Sequence, residues 1–291
     1  MTKSPRESAA KISAVVSDVD GTLVTDDKLL TVRAQAAVAK LRANGIIFTI
    51  ISSRPPRSMR GLIKPLCITK PIGCFNGGVI AKADLSVISE NLLSSDVARR
   101  SIELLDAQGV RPWVFAGEDW LALHADGPYI GREERTVGFR PTVVAEFGPF
   151  LATTAKIVGV SADFERLANC ERDIHAALAD QATVARSQPY YLDITHPLAN
   201  KGVALSEIAR LLAVPLTEIA VIGDGGNDVS MFKRSGFSIA MGNASPEVQR
   251  AADCVTDSNR DDGFANAVER FILGGERSNA KLALAPVGGR A

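Results

Sequence analysis

Short apolar runs that end at polar clusters open the chain. Residues 12–17 form an apolar, β-branched run that stops at two aspartates, which predicts a buried strand. Apolar residues then recur at helical spacing from Thr31, a suitable N-cap, to Asn44-Gly45, and residues 46–51 form a second apolar run. Strand, helix and strand joined by short connections predict a parallel sheet with right-handed crossovers.

The same pattern returns near the end of the chain. A helical period over residues 201–213 precedes an apolar run at 219–222, and a helix after Gly226 leads to another apolar run at 237–241. We therefore expect both ends of the chain to form one α/β domain with a shared parallel sheet.

The middle of the chain has a different texture, with strand candidates that follow one another directly. Two helices are expected at 96–108 and 163–179, and strands at 79–80, 87–88, 113–116, 120–124, 156–160, 183–186 and 191–194. This mixture predicts an α+β domain inserted into the first one. The predicted bounds are residues 1–82 and 190–274 for a discontinuous core domain, 83–189 for the insertion, and 275–291 for a disordered tail.

Composition limits the classes of function. Hydrophobic residues make up 46% of the chain and charged residues 23%, so the chain should fold. The 33 basic and 33 acidic residues cancel, which argues against a nucleic-acid partner. The 4 cysteines form no C-x-x-C pair, and no apolar run reaches the roughly 18 residues of a membrane helix. We expect free thiols, no membrane association and a cytoplasmic location.

Two aspartates follow the first predicted strand. Asp18 and Asp20 lie two positions apart, so both carboxylates point to one side if the backbone stays extended, and Gly21 permits a sharp exit. Ligands of open α/β sheets bind outside the carboxyl ends of the strands, which is where this pair is expected. The alternative is a pair of solvated turn residues.

A second acidic cluster follows the run at 219–222. Asp224 and Asp228 lie in a glycine-rich segment at the expected end of a strand that could neighbour the first one. Four carboxylates so close together would repel one another unless a cation lay among them. Oxygen ligands without Cys or His favour magnesium, so we expect Mg²⁺ at Asp18, Asp20, Asp224 and Asp228.

Two further elements could complete an anion site. Ser52-Ser53-Arg54-Pro55 follows the second strand and offers a hydroxyl and backbone N–H groups at a helix start, and Lys201 opens a helix after the insertion. Alone, such a lysine is usually only solvated; beside the other three elements it becomes a candidate for phosphate binding.

These motifs resemble those of the haloacid dehalogenase superfamily and, within it, the Cof-type sugar-phosphate phosphatases. Asp18-Val19-Asp20-Gly21-Thr22-Leu23 matches the first motif, Ser52 with Arg54-Pro55 the second, Lys201-Gly202 the third, and Gly223-Asp224 with Asn227-Asp228 the fourth. The family usually has a glycine where this chain has Ser53, so Ser52 and Ser53 are both candidates for the phosphoryl contact.

The resemblance implies a fold and a chemistry. The fold is a Rossmann-like core plus a cap domain inserted between the second and third motifs, with Asn76 and Gly77 near the substrate. The chemistry is that of a magnesium-dependent phosphoric monoester hydrolase that acts on a small phosphorylated metabolite, such as a sugar phosphate, as monomer or homodimer.

The resemblance also assigns roles to individual residues. Asp18 would form a phosphoaspartate, and Asp20 would exchange protons with the leaving group and water, which requires a raised pKa at Asp20. Ser52 and Lys201 would hold the phosphoryl oxygens, with Ser53 and Arg54 nearby. Asp18, Asp224 and the Asp20 carbonyl would bind Mg²⁺, and Asp228 would either support these ligands or bind the ion directly. Asn227 would orient its neighbours and contact the substrate.

Two other functions compete with this one. A phosphomutase like the phosphomannomutases shares the two-aspartate motif but returns the phosphoryl group to a sugar. A non-enzymatic phosphate-responsive module, like a response-regulator receiver, also clusters aspartates with a lysine, but it lacks a large insertion and this order of motifs. A dehalogenase is disfavoured because that branch lacks the aspartate two residues after the nucleophile.

Overall fold

The computed structural model describes residues 11–274. Its strands are β1 (Ala14–Ser17), β2 (Ile47–Ile50), β3 (Ile72–Cys74), β4 (Val79–Ala81), β5 (Val87–Glu90), β6 (Arg111–Ala116), β7 (Asp119–Ala122), β8 (Thr142–Val143), β9 (Thr154–Val160), β10 (Thr183–Gln188), β11 (Tyr191–Thr195), β12 (Ile219–Gly223), β13 (Phe237–Ala240) and β14 (Cys254–Val255). The disordered tail expected at 275–291 lies outside the described residues.

Nine α-helices accompany these strands within residues 11–274. They are α1 (Val32–Ala43), α2 (Pro56–Ile63), α3 (Ser95–Ala107), α4 (Ile130–Val137), α5 (Phe164–Leu178), α6 (Lys201–Leu212), α7 (Val229–Phe232), α8 (Pro246–Ala251) and α9 (Gly263–Ala267). A π-helical segment, Val268–Leu273, follows α9 directly.

The described residues fall into two compact units. The core unit comprises residues 11–52, 62–72 and 201–274, and the inserted unit comprises residues 53–61 and 73–200. The domain bounds expected from the sequence, with an insertion at 83–189, stay a prediction, because a compact unit need not be an independently folding domain.

The core unit is built on a five-stranded sheet in the order β14-β13-β12-β1-β2. Every pairing in it is parallel, and Val15 in β1 lies opposite Ala220 of β12 on one side and Phe48 of β2 on the other. All four residues of β1 are buried, as expected for a strand covered on both faces. The α/β class with a parallel sheet is therefore confirmed.

Helix α1 shows how closely the local signals set the bounds of an element. The Thr31 side chain accepts a hydrogen bond from the N–H of Ala34 at 3.1 Å, and Asn44 caps the other end. Ala34, Ala37, Val38 and Leu41 form its buried face, and the helix packs against β2.

The inserted unit contains a six-stranded sheet in the order β10-β11-β9-β6-β7-β8. Its pairings are antiparallel except that β8 runs parallel to β7. Helices α3 and α5 pack on one face through residues such as Leu105, Leu167 and Ile174, against sheet residues such as Val114 and Ile157. This is the α+β texture expected for the middle of the chain.

The cysteines and helices bear on two further expectations. Cys67, Cys74, Cys170 and Cys254 are all free, which confirms the expectation of unpaired thiols. Within residues 11–274, none of the helices combines the length and the apolar character needed to cross a membrane.

Candidate active site

The strands that precede the two acidic clusters are neighbours in the core sheet. β1 pairs in parallel with β12, and the backbone N–H of Asp18 extends the ladder by donating to the carbonyl of Ile222 at 2.9 Å. Asp18 and Asp224 therefore leave the sheet side by side at its carboxyl edge, which confirms that these strands adjoin.

Lys201 joins the two clusters from the first turn of α6. Its side chain is 1% exposed, and its Nζ atom lies 2.5 Å from Asp18 Oδ1 and 2.5 Å from Asp228 Oδ1. Burial acts to lower the pKa of Lys201, but the charges of Asp18 and Asp228 outweigh it and hold this pKa above its ordinary value. Lys201 is therefore a fixed cation between two buried carboxylates.

Asp228 braces the loop that carries Asp224. Its Oδ1 atom takes the Lys201 ion pair, and its Oδ2 atom accepts the backbone N–H groups of Asp224 at 2.9 Å and Gly225 at 2.8 Å. A Cβ atom on Gly223 would lie 2.5 Å from this carboxylate, so the strand can end there only on a glycine.

Asp224 is held by two side chains that the sequence reasoning missed. Thr22 Oγ1 donates to Asp224 Oδ1 at 3.0 Å, and Asn243 Nδ2 donates to Asp224 Oδ2 at 3.3 Å. Gly21 packs directly against the same carboxylate: its φ is +80°, and a Cβ atom there would lie 2.3 Å from Asp224 Oδ2.

Three carboxylates share the charge of one lysine at this point. One oxygen from each of Asp18, Asp224 and Asp228 lies within 4.8 Å of the others. Burial raises the pKa of Asp18 well above its ordinary value, and Asp228 and Asp224 add to this rise while Lys201 opposes it. Burial, followed by the charge of Asp228, raises the pKa of Asp224 to about 6.

The charge balance fits a divalent cation. When Asp18, Asp224 and Asp228 are ionised, the single positive charge of Lys201 balances one of their three negative charges and leaves two. The donor set consists of oxygen atoms alone, which suits Mg²⁺. The expected ionised state of Asp18 therefore depends on a cation as well as on Lys201.

Asp20 stands apart from this carboxylate cluster. Its Oδ1 atom pairs with Lys28 Nζ at 2.8 Å, and both side chains are partly exposed. Lys28 reaches this position from a left-handed backbone conformation with φ at 64°. The spacing of residues in the sequence does not predict this ion pair, because the pair depends on the path of the loop between β1 and α1.

The residues expected from the second motif divide between the units. Ser52 is buried at the end of the β2 segment in the core unit. Ser53 and Arg54 belong to the inserted unit, where the Arg54 carbonyl accepts the backbone N–H of Phe75 at 3.0 Å. Phosphate binding by Ser52, Ser53 or Arg54 stays a prediction.

Asn76, Gly77 and Asn227 occupy tight turns. Asn76 and Gly77 lie in a 3-10 turn of the inserted unit with φ at 58° and 97°, values that suit asparagine and glycine. Asn227 is exposed beside the carboxylate cluster, where its carbonyl accepts the Ser230 hydroxyl at 2.9 Å. Their substrate contacts also stay predictions.

One signal in the sequence could have revealed Asn243. It follows the strand β13, which neighbours β12 in the sheet, so it leaves the sheet at the same carboxyl edge as Asp224. Applying the rule of strand ends to all strands of the sheet would have included it.

Comparisons with known proteins agree with this geometry. The family model described as haloacid dehalogenase-like hydrolase matches residues 15–268. The phosphatase YitU of Bacillus subtilis, named for 5-amino-6-(5-phospho-D-ribitylamino)uracil, is 26% identical over 267 residues, covering 89% of this chain and 97% of its own. The phosphatase YwpJ of the same organism is 25% identical over 290 residues, with coverage of 89% and 99%.

A solved structure gives the same result for the fold. A haloacid dehalogenase-like hydrolase from Bacteroides thetaiotaomicron superimposes with a TM-score of 0.82 at 28% identity, covering 90% of this chain and 100% of its own.

Proposed function

The chain belongs to the haloacid dehalogenase-like hydrolases, and we propose that it is a magnesium-dependent phosphatase that forms a phosphoaspartate on Asp18. The observation that carries this proposal is the placement of Asp18 at the carboxyl edge of the sheet, 2.5 Å from a buried lysine and within 4.8 Å of two further carboxylates. A carboxylate needs no such arrangement for structural purposes, since burying it is costly.

Asp18 is the nucleophile of the first step. One of its oxygens attacks phosphorus, the bond from phosphorus to the ester oxygen breaks, and the leaving alkoxide takes up a proton. Water then attacks the phosphoaspartate, which releases inorganic phosphate and restores the Asp18 carboxylate. Lys201 keeps Asp18 in place and supplies fixed positive charge beside the transferring group.

Asp20 is the proton carrier for both steps. A neighbouring ammonium favours an ionised carboxylate, so the contact with Lys28 at 2.8 Å suits Asp20 as the base that takes a proton from water. Donation of a proton to the leaving alkoxide requires this ion pair to separate.

Asp18 and Asp224 would hold the magnesium ion, joined by the Asp20 carbonyl as the family resemblance implies. When bound, magnesium supplies positive charge against the phosphoryl oxygens as their negative charge redistributes. One Asp228 oxygen pairs with Lys201, and the other accepts two backbone N–H groups. Asp228 therefore supports the loop that carries Asp224.

The substrate we propose is a phosphate monoester of a sugar or a polyol. The name of YitU gives a phosphorylated ribityl compound as the substrate of that relative. Sugar phosphates and phosphorylated ribityl compounds both carry a primary or secondary alcohol as the leaving group, which needs protonation by a residue such as Asp20.

Phosphate release by two isosteric variants tests the scheme. Asp18→Asn should abolish turnover of a panel of sugar, polyol and nucleoside phosphates with Mg²⁺ present. Asp20→Asn should slow turnover by about 10²- to 10⁴-fold, the usual contribution of a general acid or base, while phosphoenzyme still forms.

The control variant is Asp27→Asn, which changes an exposed aspartate in the same loop and should keep full activity. Full activity in the Asp18→Asn protein would refute the nucleophile. Transfer of the phosphoryl group to a second sugar without release of inorganic phosphate would identify a mutase.

A further inference from the structure

Asn243 makes hydrogen bonds on both ends of its carboxamide group. Its Nδ2 atom donates to the Gly21 carbonyl at 2.9 Å and to Asp224 Oδ2 at 3.3 Å, while its Oδ1 atom accepts the backbone N–H of Asn259 at 3.0 Å. A flipped amide would set its NH2 group against the N–H of Asn259, so the contacts themselves fix its orientation.

Asn259 anchors this arrangement to the loop after β1. Its side chain is buried, and its Nδ2 atom donates to the Val24 carbonyl at 3.1 Å and to Asp26 Oδ1 at 3.1 Å. The two asparagines thus connect the loop of the nucleophile with the segments that follow β13 and β14. Asn243 therefore accepts the Asn259 N–H on one side and donates to Asp224 on the other.

We propose that Asn243 is a positioning residue for Asp224 as a metal ligand, an inference that rests on the proposed function. Together with Thr22, it donates one hydrogen bond to each oxygen of the Asp224 carboxylate. Each carboxylate oxygen has two lone pairs, so these bonds fix the plane of the carboxylate and leave a lone pair on each oxygen for a cation.

The contact with Gly21 adds a second constraint. By holding the Gly21 carbonyl, Asn243 fixes the peptide that joins Gly21 to Thr22, which is one peptide beyond the Asp20 carbonyl proposed to bind the same cation. One side chain therefore sets the distance between two proposed ligands from different loops. Residues that orient metal ligands typically contribute 10- to 100-fold to metal affinity.

Binding of Mn²⁺ to the metal-free full-length protein tests the inference without any turnover. Mn²⁺ accepts the same oxygen ligands as Mg²⁺, and its free form is counted by electron paramagnetic resonance. We expect Asn243→Ala to weaken Mn²⁺ binding by about 10- to 100-fold. Thr22→Val, which removes the other donor to Asp224, should weaken it similarly.

Gln249→Ala is the matched control. Gln249 Nε2 donates to the carbonyls of Gly242 at 3.0 Å and Ala244 at 3.1 Å, so it stabilises the loop of Asn243 through backbone atoms and not through the Asp224 carboxylate. This variant should bind Mn²⁺ within about twofold of the wild type. Asn243→Ser, whose side chain is too short to span the gap, is a second variant in case the alanine protein folds poorly.

Turnover provides a second readout. In Asn243→Ala, kcat measured at saturating Mg²⁺ should recover to within a few-fold of the wild type. The variant should differ from the wild type in the Mg²⁺ concentration that it needs for activity. Mn²⁺ affinity within twofold of the wild type in both Asn243 variants, or an equal loss in Gln249→Ala, would overturn the inference. A wild-type protein that neither binds Mn²⁺ nor releases phosphate would instead overturn the proposed function.

Discussion

The raised pKa of Asp224 makes the metal-free protein less stable as the pH rises. Burial and the charge of Asp228 move this pKa from 3.8 to about 6, so the folded protein holds the proton more tightly than the unfolded chain does. The stabilising contribution of the protonated group is complete below about pH 4 and is lost as the pH rises through about 6. Asp224→Asn removes this titration.

The size of the effect follows from the two pKa values. A difference between 3.8 and about 6 corresponds to about 3 kcal/mol, at about 1.4 kcal/mol per pH unit. The charge of Asp224 also raises the pKa of Asp18. Asp224→Asn removes this charge, so the loss of stability with rising pH that comes from Asp18 should also become smaller. The amide of the variant faces Asn243 Nδ2 less favourably than the carboxylate does, but this penalty is the same at every pH.

Urea unfolding in EDTA at pH 4, 5, 6 and 7 measures the difference between wild type and variant. We expect the variant to gain about 3 kcal/mol relative to the wild type between pH 4 and pH 7. At pH 7, Mg²⁺ at about 100 times its Kd should stabilise the wild type by about 2.7 kcal/mol and the variant by much less. A difference that stays constant within about 1 kcal/mol across this range would refute the reasoning.

Two further variants probe the packing of the site. Lys201→Met leaves Asp18 and Asp228 buried without their cation, so the free energy of unfolding in EDTA at pH 7 should fall by about 3–5 kcal/mol; a fall below about 1 kcal/mol would contradict the ion-pair geometry. Gly21→Ala should abolish phosphatase activity, because the added Cβ atom would lie 2.3 Å from Asp224 Oδ2. Gly45→Ala is the control: Gly45 has φ at +70° but open space around it, so this variant should lose only about 1–2 kcal/mol of stability and stay active.

The sequence was sufficient to predict the elements that depend on local signals. The bounds of α1 follow from the cap at Thr31 and the stop at Asn44, and both were confirmed to within a residue. The parallel sheet and the adjoining strands of Asp18 and Asp224 follow from apolar runs that end at polar clusters. Such patterns are set by burial and capping, which act over a few residues.

Contacts made by loops could not be predicted in the same way. The pairing of Asp20 with Lys28 depends on a left-handed backbone conformation at Lys28, which no glycine marks in the sequence. The hydrogen bonds of Asp228 to backbone N–H groups depend on the turn that follows β12. The helix start expected after Arg54-Pro55 is confirmed by α2, which begins at Pro56. The strand β14 has too few residues for a periodic pattern, and nothing in the sequence predicted it.

The ion pair between Lys201 and Asp18 joins residues 183 positions apart, with the inserted unit encoded between them. Strand β1 can pair with β2 early in synthesis, but its other edge has no β12 until that strand has been made, on the order of 10–40 s later at 5–20 residues per second. During that interval the strand that carries the nucleophile has an open edge, which is a site for wrong pairing with other chains. Activity would therefore appear in a nascent chain only after β12 has been made, and its recovery after dilution from denaturant would report the pairing of β1 with β12.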